Sequence, residues 1–94
     1  MDLSITECQK RYEMFKNKND GRNNLCGARI RELRLAYPTK LSQRALAEKM
    51  QLIGIDLDKN AIQRIECGKR FVTDIELRGF AEIFGVKTDE LLSF

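Results

Sequence analysis

The chain has 94 residues, 43% hydrophobic and 33% charged, enough for one small hydrophobic core and too few for a second. Its net charge of +3 is uneven: residues 1–70 hold fifteen basic and nine acidic side chains, whereas residues 71–94 hold two and five, so a polyanion would meet the first part. No apolar run approaches the roughly 20 residues of a membrane span, and the opening residues mix acidic, basic and apolar positions in place of a signal peptide, so the expected location is the cytoplasm, without membrane contact.

Residues 1–23 read as an N-terminal arm and linker. Ile5, Cys8, Tyr12 and Phe15 can line one helical face, and the polar run NKNDGRNN follows them. The arm can pack on the core, contact a partner, or add Lys10, Arg11, Lys16, Lys18 and Arg22 to a nucleic-acid surface. A domain spanning 24–94 comes next, and nothing in it alternates strictly in twos as a half-buried strand would, so the fold class is all-α, with five helices. The first helix begins near Asn24, turns Ile30, Leu33 and Tyr37 inward, and stops before Pro38. The second, about 42–53, is capped by Ser42 and buries Leu46, Ala47, Met50 and Ile53, with Gly54 after it. The third, about 58–67, is capped by Asp58, turns Ile62 and Ile65 inward and ends at Gly68. Leu41 with Leu46, and Leu57 with Ile62, have the spacing of hydrophobic staples across these two caps. A fourth helix opens on the capping box TDIE, places Leu77, Phe80, Ala81 and Phe84 on one face and ends at Gly85. Thr88 caps a last short turn carrying Leu91 and Leu92.

The second and third of these helices, separated by a tight connection, form a helix-turn-helix pattern. From Ile30 to Leu92, about two thirds of the chain, the sequence resembles the lambda-repressor-like, Cro-type (XRE) helix-turn-helix family. The resemblance is carried by IRELR, LSQRALAEKM, AIQRIECGKR, VTDIEL and FAEIFGV in that order. It implies a compact five-helix DNA-binding domain in which the second helix lies across the phosphate backbone and the third enters the major groove. Lys59, Asn60, Gln63 and Arg64 then match the base-reading positions; arginine can grip guanine, and asparagine or glutamine adenine, through paired hydrogen bonds. Gln43, Arg44, Lys69 and Arg70 match positions on the DNA backbone, and Arg34 with Glu66 matches a structural ion pair inside the domain. The connections QLIGIDLDKN and LAYPTKLS are longer than is usual in the family, which bears on how the third helix is presented.

The function implied is sequence-specific binding of double-stranded DNA by a bacterial or mobile-element transcriptional regulator, a repressor acting as a homodimer on a palindromic operator. Ile75, Ile83, Leu91, Leu92 and Phe94 are candidates for the dimer patch. The alternative is a protein-interaction module, or an antitoxin-like protein that holds a regulatory partner and binds DNA secondarily. Enzymatic activity is not expected: the chain has no histidine, no phosphate-cradling glycine loop and no nucleophile beside an evident base. Cys8, Cys26 and Cys67 are odd in number and widely spaced, so they read as reduced thiols without metal or cofactor; Cys67, among basic residues, is either a reactive thiol or an inert helix-end residue.

Overall fold

The computed structural model describes residues 21–93. Five α-helices are found among them: α1 (Gly27–Leu35), α2 (Gln43–Leu52), α3 (Lys59–Glu66), α4 (Asp74–Phe84) and α5 (Thr88–Leu92). The domain is all-α and built around one core, in which every helix takes part: Ile30 of α1, Leu46 and Met50 of α2, Ile62 and Ile65 of α3, Phe80 of α4 and Leu91 of α5 are all fully buried. Burying an aliphatic or aromatic side chain of this size stabilises a fold by about 1.5–3 kcal/mol, so this cluster is the main force assembling the helices.

Three helices start at an N-cap residue whose own side-chain oxygen replaces the missing intrahelical acceptor. Ser42 Oγ accepts from Ala45 N at 3.0 Å and Asp58 Oδ1 from Ala61 N at 2.8 Å. At α4, Thr73 Oγ1 accepts from Glu76 N while Glu76 Oε1 accepts from Thr73 N, closing the capping box. Leu41 and Leu57, just outside the caps of α2 and α3, are buried in the core with Leu46 and Ile62. The chain is therefore held on both sides of each cap.

Several boundaries differ from the sequence expectation. α1 begins at Gly27, not near Asn24, with Cys26 at the N-cap position and making no side-chain bond. Asn24 still supplies the acceptor, its Oδ1 taking the Gly27 N–H at 2.8 Å. Thr88 is the first residue of α5 rather than its cap; Lys87 holds that position without a side-chain bond. Ile53 lies at the C-cap of α2 and is 41% exposed instead of buried, and its neighbour Leu52 is 85% exposed. Leu91, expected on a surface patch, is a core residue, and Ile83 is half-buried. Arg22 and Asn23, assigned to the arm, are hydrogen-bonded to the end of α3. Ile5, Cys8, Lys10, Arg11, Tyr12, Phe15, Lys16, Lys18 and Phe94 lie outside the described residues.

The connection from α2 to α3 is long but fixed. Gly54 takes φ +87°, a conformation that costs other residues a steric clash, and Ile55 N then donates back to Met50 O at 2.9 Å. Gln51 Nε2 donates across the turn to Leu57 O at 2.9 Å. Ile55 folds over Gly79 of α4 so closely that a Cβ there would collide with its Cδ1. The Tyr37 ring stands edge-on to Phe84 of α4, with centroids 6.1 Å apart, and Lys49 Nζ lies 5.6 Å from the Tyr37 centroid. No helix among the described residues is long and apolar enough to cross a membrane.

Candidate nucleic-acid interface

The two faces of α3 are chemically opposite. Ile62, Ile65 and Glu66 are buried, whereas Lys59, Asn60, Gln63 and Arg64 are all exposed. At about 100° per residue these four span only about 140° of the helix circumference. None of their side chains makes a hydrogen bond or ion pair among the described residues. Four donor-rich groups therefore face outward together.

The inward side fixes their orientation. Arg34 of α1 donates through Nε to Glu66 Oε2 at 2.7 Å and through Nη2 to Glu66 Oε1 at 3.0 Å. Its third nitrogen, Nη1, donates to the Leu41 carbonyl at 3.0 Å. Gln43, at the start of α2, adds Nε2 to Glu66 Oε1 at 3.0 Å. One carboxylate thus ties the end of α3 to α1 and to the beginning of α2. Arg34 and Glu66 are 8% and 6% exposed, so the pair is shielded from water and either partner alone would be a buried, uncompensated charge.

The residues assigned to a DNA backbone fall into two groups. Arg44 and Lys69 are exposed, with no side-chain partner among the described residues. Arg44 shares a shallow groove between α2 and α3 with Lys59, Asn60 and Asp58, so the structure brings one backbone candidate and two base-reading candidates together. Gln43 and Arg70 are instead engaged internally. Gln43 is half-buried, with one amide hydrogen committed to Glu66. Arg70 grips Glu76 of α4 with two bonds, Nη1 to Oε1 at 2.9 Å and Nη2 to Oε2 at 3.1 Å, and also reaches the Phe71 carbonyl. Burial pushes the Glu76 carboxyl upward, but the bonds from Arg70 and Thr73 outweigh it and hold the group below the usual carboxylate range. The hydrogen bond to Glu76 in turn holds the Arg70 guanidinium charged more firmly.

Sequence reasoning missed three features: the Gln43 link to Glu66, the Arg70 pair with Glu76, and the contacts of Arg22, Asn23 and Asn24 with the end of α3. All three join residues that only the fold brings together, and the last lies in a run whose polarity reads as linker. Cys26 is buried and its thiol is pushed up to about 11, mainly by burial, whereas Cys67 is exposed at the end of α3.

Compared with family models, with curated proteins and with solved structures, the chain matches none.

Proposed function

We propose that this chain is a sequence-specific double-stranded DNA-binding protein, a Cro-type helix-turn-helix regulator whose α3 reads base edges in the major groove while α2 lies across the backbone. One observation carries the reading: α3 is pinned from behind by the buried Arg34–Glu66 pair and presents Lys59, Asn60, Gln63 and Arg64 outward without internal partners. The anchoring fixes the direction of this donor-rich face, as a helix that reads base edges requires. Lys69 and Arg44 supply backbone charge, whereas Arg70 is committed to Glu76, which compensates its charge; Gln43 offers phosphate its remaining amide hydrogen. The reading is of a binder and not an enzyme, a repressor that places two α3 helices about 34 Å apart on a palindromic site.

A second reading, a module that binds another protein, draws on the apolar surface where Ile53 and Ile75 line one groove, Ile75 being 68% exposed. The same surface serves a homodimer. The two readings separate on Arg64. Selection of duplexes from a randomised pool, wild type beside Arg64→Ala, should return a palindrome that the variant does not enrich. Binding that is blind to sequence, or unchanged by Arg64→Ala, would transfer the function to the protein partner.

A further inference from the structure

Three residues upstream of α1, Arg22, Asn23 and Asn24, close over the far end of α3. Arg22 Nη2 donates to the Glu66 carbonyl at 2.9 Å, and Asn23 N to that of Gly68 at 2.8 Å. Asn23 Nδ2 reaches the Lys69 carbonyl at 3.2 Å, and Asn24 Nδ2 reaches two, Ile65 at 3.0 Å and Arg70 at 2.8 Å. A helix end leaves its last carbonyls without intrahelical donors. Here Gly68 N and Lys69 N return to Ile65 O and Arg64 O, and the upstream residues serve the carbonyls of Glu66, Gly68, Lys69 and Arg70.

Two glycines make the closure tight enough. A Cβ on Gly27 would collide with the Ile65 carbonyl and sit 2.8 Å from Asn24 Oδ1 and 2.9 Å from Arg22 Nη2. A Cβ on Gly68, whose φ is +80°, would lie 2.7 Å from Arg22 Cζ. The amide of Asn24 divides its work: Oδ1 starts α1 by accepting from Gly27 N, and Nδ2 holds the α3 exit.

We propose that Arg22, Asn23 and Asn24 form a clasp of positioning residues that sets the path of residues 65–70 and so aims Lys69 at the DNA backbone. The functional half of this inference rests on the DNA-binding reading; the geometric half does not. The bonds named above end on the backbone between Ile65 and Arg70, so their loss loosens that exit in preference to the core.

Asn24→Asp in the full chain tests it, because the carboxylate keeps an acceptor for Gly27 N and removes both donors to Ile65 and Arg70. Asn24→Ser, which keeps an acceptor without adding a charge, is the second variant. Amide exchange followed by NMR should quicken about thirtyfold at Gly68 and Lys69, the scale of two lost hydrogen bonds, while Phe80 and Ala81 in α4 keep their wild-type rates. Affinity for the selected duplex should fall, with a shallower dependence on salt. Unchanged exchange at Gly68 and Lys69, or equal acceleration in α4 for both variants, overturns the clasp. A loosened exit with unchanged duplex affinity and salt slope overturns its positioning role. A wild-type chain that selects no duplex overturns the DNA-binding reading, and the exchange data still decide the clasp.

Discussion

Arg34 and Glu66 stand 32 positions apart and make two bonds in the interior of the domain. Removing the arginine leaves the carboxylate with Gln43 as its remaining side-chain donor. Arg34→Ala should therefore cost about 3–5 kcal/mol, read as a fall in the urea midpoint at unchanged m-value. Glu76 behaves differently because it is paired nearer the surface. Its folded carboxyl is held below the ordinary value, near 4.3 for an unfolded glutamate, so its contribution is fully present above about pH 4.3 and drains away as the pH falls through the folded value. Wild type should exceed Glu76→Gln in stability at pH 7 and lose that advantage toward pH 3, as measured by urea unfolding across the range. Such residue-scale pairings were unevenly legible in the sequence. The Arg34–Glu66 pairing was suggested by resemblance alone, and Arg70–Glu76 not at all, because Glu76 already had a local role in the TDIE capping box that accounted for it.

Helix starts are set by neighbours in the chain, which is why Ser42, Asp58 and Thr73 could be read as caps from sequence and occupy those positions. The outward face of α3 was legible for the same reason, since a period of 3.6 residues separates Ile62 and Ile65 from Asn60, Gln63 and Arg64. The start of α1 was less clear because its acceptor comes from Asn24, upstream of the N-cap residue Cys26. Ile53 was misread because whether it is buried depends on where the turn at Gly54 sends the chain, not on helical period. At α3 the cap also faces the groove shared with Arg44 and Asn60. Asp58→Ala should cost about 1 kcal/mol of stability by thermal or urea unfolding, and should fray the first turn of α3, where Lys59 and Asn60 reside.

Over the described residues as a whole the helices share one core; of the exposed basic groups, Arg31, Lys40, Arg78 and Lys87 lie elsewhere, whereas Arg44, Lys59, Arg64 and Lys69 are carried by α2, α3 and the exit of α3. Under the proposed function these charges divide by role. Lys69→Ala should weaken binding to all duplexes about equally and reduce the slope of log affinity against log salt by about 1, measured by titration at several salt concentrations, whereas Arg64→Ala should change which sequences are preferred.

The chain contains no tryptophan and only two tyrosines, Tyr12 and Tyr37. Because Tyr37 stands against Phe84 with the Lys49 ammonium near its ring, its emission senses the seam where the end of α1 meets α2 and α4. With Tyr12 replaced by phenylalanine, the chain would carry a single tyrosine, packed against Phe84 of α4, whose emission follows the closing of the fold without a dye attached to the surface under study.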